Sequence, residues 1–178
     1  MGKLTLILGG ARSGKSAFAL QLAKRYKKNV AFIATGEPLD SEMKARIMFH
    51  KKTRPAYWKT FEEPRDLTPL IKRIAKKFDC LLIDCLTLLV SNLSLGGLNQ
   101  KAVEKKAREI VAAIKSSKAN TIIISNEVGL GIVPENKLAR GFRDIAGKVN
   151  QIIAKNADEV FFIVSGIAMK IKGENTNG

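Results

Sequence analysis

Near the start of the chain, "GGARSGKS" (Gly9 to Ser16) places two glycines, a lysine and a hydroxyl at spacings that suit one kind of chemistry. Gly9, Gly14, Lys15 and Ser16 fit the pattern G-x-x-x-x-G-K-[ST]. The glycines let backbone N–H groups close round a chain of phosphates, the lysine reaches the outer phosphates, and the hydroxyl binds magnesium. The string lies between an apolar run, "LTLIL", and a helical pattern, which is the setting such a loop needs. A second carboxylate-bearing position completes the set: Asp84 ends "CLLID", where phosphoryl-transfer proteins of this kind place the acid that holds magnesium or polarises its water. Ser16 and Asp84 are therefore the candidate metal ligands, and Lys15 is a candidate catalytic cation.

The chain contains a single histidine, His50, within "RIMFHKKTRPAYW". Asp40 can cap a helix on which Met43, Ile47 and His50 share one face. A histidine in such a row is ordinarily a core or groove residue. This helix, however, follows the second strand, so it is expected to overhang the edge where the glycine loop holds phosphates. Neutral imidazole is a competent nucleophile toward phosphorus. Lys51, Lys52 and Arg54 beside it could offset charge on a phosphoryl group under attack. At the same edge "SNEVGLGIVPE" supplies Asn126, Glu127, Gly129 and Gly131, as a glycine-permitted turn or as a direct substrate contact.

The elements that must position these groups are legible as an alternation. Strand-like runs "LTLIL", "VAFIAT", "CLLID", "TIIIS" and "EVFFIVS" are separated by helical periods over Ser13–Tyr26, Asp40–Lys52, Asp66–Phe78, Asn99–Ser116 and Asn136–Asn156. The pattern predicts an α/β P-loop fold, a mostly parallel sheet flanked by helices on both faces in the RecA-like topology. Ligands bind where parallel strands end, which singles out Gly9, Thr35, Asp84, Asn126 and Ser165. Leu138, Phe142, Ile145, Val149, Ile152 and Ile153 form an apolar stripe read as core. "LGG" at 95 to 97 breaks a helix and Pro134 precedes one. One catalytic domain over residues 1–172 is expected, followed by a polar tail at 173–178.

With 178 residues the chain suits one core, and no stretch of eighteen apolar residues suggests a membrane span. "KLTLILGG" reads as a first strand rather than a secretory leader, so a cytoplasmic, soluble protein is expected. Cys80 and Cys85 bracket a buried-strand pattern and read as buried free thiols. The formal charge of +15 invites a nucleic-acid reading, but aromatic residues are not interleaved with the cations as a stacking platform requires. "KRYKK", "KKTR", "KRIAKK" and "KKAR" read as solvated helix faces or as a basic rim round an anionic substrate. A signalling GTPase is disfavoured because "NKLA" at 136 lacks the aspartate of the guanine-reading N-K-x-D string.

"GGARSGKS", "EMKARI", the pattern H-K-x-x-R-P-A-x-W, "NEVGLGIVPENKLARGFRDIAGKVNQ" and "ADEV…VSGIAMKIK" resemble the bifunctional adenosylcobinamide kinase and adenosylcobinamide-phosphate guanylyltransferase family of cobalamin assembly. The resemblance spans nearly the whole chain. It implies phosphorylation of the aminopropanol hydroxyl of adenosylcobinamide by ATP or GTP, then transfer of GMP from GTP to that phosphate through a guanylyl-histidine, which falls on His50. By the same resemblance Gly9, Gly10, Ala11, Arg12, Ser13, Gly14, Lys15 and Ser16 bind the triphosphate. Ala34, Thr35, Gly36, Lys51, Lys52, Thr53, Arg54, Glu62 and Asp84 then contact the nucleotide, with Mg2+ as cofactor. Glu62 could accept the paired N–H donors of guanine or could be a solvated charge. Small-molecule partners and a homotrimer are implied, with no nucleic acid. One departure stands out: many members carry two adjacent histidines where this chain has Phe49 before His50. The runner-up readings are a plain small-molecule kinase with a structural histidine and a nucleic-acid-binding RecA-like ATPase.

Overall fold

The computed structural model describes residues 1–26, 29–38 and 40–173, and the side chains of Arg46, Phe49, His50, Lys52 and Thr53 are outside that description. In chain order the elements are β1 (Leu4–Gly9), α1 (Lys15–Lys24), β2 (Val30–Ala34), α2 (Ser41–Thr53), β3 (Lys59–Glu62), α3 (Leu67–Ile74) and β4 (Cys80–Asp84). There follow α4 (Leu86–Leu95), α5 (Gln100–Lys115), β5 (Asn120–Asn126), α6 (Lys137–Asn156), β6 (Glu159–Val164) and β7 (Ile167–Lys172). Most of the polar tail expected at 173–178 lies outside the described residues.

The strands form one sheet in the order β3-β2-β4-β5-β1-β6-β7. All pairings are parallel except β6 with β7. β1 and β2 are buried at every position, the burial that a parallel strand covered on both faces requires. Alternate residues serve opposite layers. Leu4, Leu6 and Leu8 join Ala31, Ile33, Leu81 and Ile83 under α3, α4, α5 and α6. Ile7, Val30, Phe32, Leu82, Ile122 and Ile124 meet Ala19 and Ala23 of α1, with Trp58, on the other face. Burial at this spacing brings the ends of β1, β2, β4 and β5 to one edge, and that edge carries the candidate chemistry.

Local rules explain the boundaries. Asp40 accepts a hydrogen bond from the Met43 N–H at 2.7 Å, so α2 starts where its cap predicts. Asn99 and Asn136 cap α5 and α6 through their side-chain oxygens. α1 starts at Lys15 rather than Ser13, because Gly14 takes φ 100° and turns the loop into the helix. The stripe on α6 is core except at its first member: Val149 and Ile153 are buried, but Leu138 is 68% exposed. Leu138 lies at the entry of the helix, before its axis reaches the sheet.

Two strands escape the sequence reading. β3 is short and mostly exposed, so "KTFE" lacks the apolar run that marked its neighbours. β7 runs antiparallel after a two-residue turn in which Ser165 has φ 51° and Gly166 φ 83°. A Ser-Gly step between two β-rich runs is a hairpin signal, and it was available in the sequence.

The thiols of Cys80 and Cys85 are buried and free, and burial pushes both up to about 12, so neither is reactive near neutrality. Lys72, Arg73, Lys76, Lys77, Lys105 and Arg108 stand on exposed surface, in keeping with solvated faces. Arg54 departs from that reading. Among the described residues no helix is long and apolar enough to cross a membrane.

Candidate active site

The loop from Gly9 to Ser16 is shaped by backbone rather than side-chain contacts. Gly9 has φ 152°, and a Cβ there would lie 2.5 Å from the Ile163 carbonyl oxygen, so only glycine fits. A Cβ on Gly14 would lie 3.2 Å from the Gly166 Cα. The Gly166 N–H donates to the Ser13 carbonyl at 2.8 Å, and the Glu127 N–H donates to the Gly9 carbonyl at 3.0 Å. The β6–β7 turn and the end of β5 therefore brace the loop from two sides. Arg12, at φ 55°, is exposed on it beside Gly10 and Ala11.

Lys15 is 6% exposed, and its ammonium donates to the Gly10 carbonyl and, at 3.5 Å, to the Ser13 hydroxyl. Burial pulls its pKa below the ordinary lysine value, while Cys85 and Asp84 oppose the shift. The Ser16 hydroxyl donates to an Asp84 carboxylate oxygen at 3.4 Å, linking the start of α1 to the end of β4. A hydroxyl and a carboxylate so placed form a hard, all-oxygen pair suited to Mg2+, which commonly takes its remaining ligands from phosphate and water. The described residues hold no cluster of three or more histidine, cysteine or acidic side chains that could cage a metal unaided.

Thr35 stands differently from its sequence expectation as a nucleotide contact. It is fully buried, and its hydroxyl donates to the Cys85 carbonyl at 2.7 Å while accepting the Cys85 N–H at 2.8 Å. Its own N–H donates to the Asp84 carbonyl at 3.1 Å, and its carbonyl accepts the Asn92 amide at 2.8 Å. Every polar group of Thr35 is thus engaged inside the protein, which leaves Gly36 and the edge of Ala34 as the parts of this strand end open to a ligand. Asn92, which the sequence did not mark, also donates to the Pro64 carbonyl at 3.0 Å and so ties the end of β2 to the chain leaving β3. Thr35→Val would leave the Cys85 N–H unpaired in a buried site and its carbonyl with only the 3.3 Å bond from the Leu89 N–H, with an expected cost of about 1–3 kcal/mol in urea unfolding. Thr35→Ser, which keeps the hydroxyl, is expected to cost about 1 kcal/mol.

Beside β2 and β3 lies a cleft of about 320 Å³ lined by Lys51, Arg54, Pro55, Ala56, Trp58, Thr60 and Glu62. The Arg54 guanidinium stacks 3.5 Å above the Phe32 ring. Its Nε and Nη1 are buried without a hydrogen-bond partner. Burial lowers its pKa, with Asp84 and Glu62 acting in the opposite sense. A buried guanidinium with two unused donors is costly unless an acceptor enters the cleft. Lys51 and Glu62 pair at 2.5 Å, and both are largely exposed. Glu62 is therefore on the cleft rim in a solvated ion pair, and a base that used its carboxylate would have to displace Lys51. Of the residues about His50, Ile47 packs against Gly36, where a Cβ would lie 3.6 Å from the Ile47 Cδ1. That contact fixes α2 above the end of β2. The side chains of His50, Lys52 and Thr53 lie outside the described residues.

Residues 5–171 match a family model described as cobinamide kinase / cobinamide phosphate guanyltransferase. The chain belongs to this family. It is 46% identical over 181 residues to the bifunctional adenosylcobalamin biosynthesis protein CobU of Salmonella typhimurium, covering 95% of this chain and 99% of that protein. The protein of the same description from Escherichia coli is 41% identical with the same coverage, and CobP of Pseudomonas aeruginosa is 42% identical, covering 95% and 97%. Among solved structures, the flagellar accessory protein FlaH of Methanocaldococcus jannaschii aligns with TM-score 0.54 and 18% identity over 97% of this chain and 79% of that one, a likeness of fold.

For a member of the cobinamide kinase family, the site contains residues that motif reading passed over. Trp58 and Thr60 line the cleft, Asn92 ties two strand ends together and Gly166 braces the phosphate loop. Trp58 ends the pattern H-K-x-x-R-P-A-x-W, whose spacing alone does not say that it lines a cleft. Asn92 carries no local signal, because its two acceptors come from segments 57 and 28 residues away.

Proposed function

We propose that this chain carries out two successive transfers at the strand-end edge. In the first, the aminopropanol hydroxyl of adenosylcobinamide attacks the γ-phosphorus of ATP or GTP, the bond to the β-phosphate bridging oxygen breaks, and the hydroxyl proton is released. In the second, a His50 nitrogen attacks the α-phosphorus of GTP and pyrophosphate leaves. An oxygen of adenosylcobinamide phosphate then attacks the guanylyl phosphorus, the P–N bond breaks, and adenosyl-GDP-cobinamide forms.

The observation that carries this reading is the presence of two phosphate-competent regions at one edge. The loop with Lys15, Ser16 and Asp84 suits the triphosphate, and the cleft with the unpartnered Arg54 donors suits a second anionic or carbonyl group of the nucleotide. Lys15 binds and neutralises the outer phosphates, and the loop N–H groups from Gly9 to Ser16 orient them. Ser16 and Asp84 would hold Mg2+, whose chemistry there is neutralisation of phosphate charge. Arg54 and Lys51 would bind nucleotide oxygens, with Gly36 and Ala34 against the nucleoside. Glu62 would read guanine once released from Lys51.

In this reading the whole of residues 1–172 serves as one catalytic domain, and the protein works as a homotrimer in the cytoplasm. Exposed Ile167, Met169 and Ile171 on the edge strand β7 support self-association. The test is a reaction with adenosylcobinamide, GTP and Mg2+ followed by mass spectrometry. Adenosylcobinamide phosphate and then adenosyl-GDP-cobinamide are the expected products, and formation of neither would refute the reading.

A further inference from the structure

The segment joining β5 to α6 takes no part in the transfers described above, yet it is built with care at both ends. At its start the Glu127 N–H is bonded to Gly9 of the phosphate loop, the Glu127 carboxylate accepts the Gly129 N–H at 2.9 Å, and Val128 packs against the core. At its far end Arg140 donates to the Pro134 carbonyl at 3.0 Å and the Glu135 carbonyl at 2.5 Å. Between these struts the chain displays Leu130, Ile132, Val133 and Leu138 at 76%, 96%, 59% and 68% exposure. Single exposed aliphatics are ordinary, but four within nine residues on a pinned loop make a patch that marks a binding surface.

Position selects the occupant. β1 pairs with β5 from Leu4 to Gly9 and the Glu127 N–H bonds to Gly9, so the segment that carries the patch starts beside the phosphate loop. The acceptor hydroxyl must come within about 3–3.5 Å of the γ-phosphorus to react. Behind that hydroxyl follows a corrin ring, a broad macrocycle with methyl-bearing apolar faces and an amide-bearing rim. The phosphate loop itself, Gly10 to Ser13, offers only the Ala11 methyl to such a ring, and the β2–β3 cleft, at about 320 Å³ with charged Lys51, Arg54 and Glu62 in its lining, is too small and too charged to take a corrin face. We infer that the 127–138 loop is the docking surface for the corrin ring, with Leu130, Ile132, Val133 and Leu138 against its apolar faces. This inference rests on the reading of the chain as a cobinamide kinase.

The test uses the full chain and the paired substitution Leu130→Ser with Ile132→Ser, and Ile132→Ser alone as a milder variant at the most exposed position. Three quantities are compared with the unsubstituted protein: KM for adenosylcobinamide and for GTP in the kinase reaction, Kd for adenosylcobinamide by equilibrium dialysis read from corrin absorption, and particle mass by light scattering. The paired variant is expected to raise KM and Kd for adenosylcobinamide about tenfold or more, the scale of one or two lost aliphatic contacts, and the single variant by about threefold. KM for GTP, melting temperature and particle mass are expected to stay unchanged. Unchanged adenosylcobinamide Kd and KM in both variants would overturn the inference. A fall in particle mass with unchanged adenosylcobinamide Kd would overturn it too, and would assign the patch to contact between subunits. If the unsubstituted protein phosphorylates no cobinamide, the functional reading fails and the inference falls with it, an outcome separate from a variant that merely binds as well as its parent.

Discussion

Lys15→Met is expected to lower kcat/KM of the kinase reaction by about 1,000-fold without loss of fold. The ammonium is the buried cation of the phosphate loop, held there by the Gly10 carbonyl and the Ser13 hydroxyl, whereas Arg12 on the same loop is exposed. Removing a preorganised donor aimed at developing charge commonly costs 100- to 1,000-fold, and this one carries a full charge in a site where water is scarce. The stability of the variant should move the other way. Burial lowers the folded pKa of Lys15 from the ordinary 10.5, so the folded chain holds the proton less tightly than the unfolded chain. Between the folded and unfolded values the unfolded state binds more protons, and stability of the unsubstituted protein rises with pH across that window. Below it the full cost of burying the charge is present. The methionine variant lacks that cost, so its melting temperature at pH 7 is expected to equal or exceed that of the parent, and the margin to shrink as pH approaches 10.5. A drop in melting temperature together with only a few-fold loss of activity would show that Lys15 braces the loop instead of the phosphates.

The second large effect concerns His50. His50→Ala is expected to reduce guanylyl transfer by about 10,000-fold or more, as loss of a covalent nucleophile does, and to leave kinase kcat/KM within about threefold. The kinase step as proposed uses Lys15 and Ser16, which stand on α1, and Asp84, which ends β4, and none of them belongs to α2. Incubation with GTP labelled at the α-phosphorus should leave acid-labile, alkali-stable label on the parent protein and none on the variant. Equal loss of both activities would mean that α2 supports a single shared step. Label retained by the alanine variant would place the nucleophile elsewhere. Phe49 gives this experiment extra weight, because a relative with two adjacent histidines could lose one and recover through the other.

Much of this architecture is legible in the sequence. Continuous apolar runs marked β1, β2, β4 and β5 because a parallel strand buried on both faces has no polar side to show. Asp40, Asn99 and Asn136 marked helix starts because capping is local hydrogen bonding. β3 was missed because it is exposed and short, and Leu138 was misplaced because periodicity cannot tell which turn of a helix first meets the sheet.

The same division holds at the site. Spacing alone marked the candidate phosphate loop, since the roles proposed for Gly9, Gly14, Lys15 and Ser16 rest on backbone freedom and chemistry that belong to adjacent residues. It also determined that Asp84 ends a strand and that the lone histidine sits on a helix after β2. Only the tertiary structure decided that the Thr35 hydroxyl is engaged with the Cys85 backbone, that Arg54 lies over Phe32 with two donors unspent, and that Glu62 is paired with Lys51. These are relations between segments up to 50 residues apart for Thr35 and Cys85. Their geometry follows from which strands are neighbours in the sheet, and strand order is set by the sum of the packing on both faces, which no local pattern records.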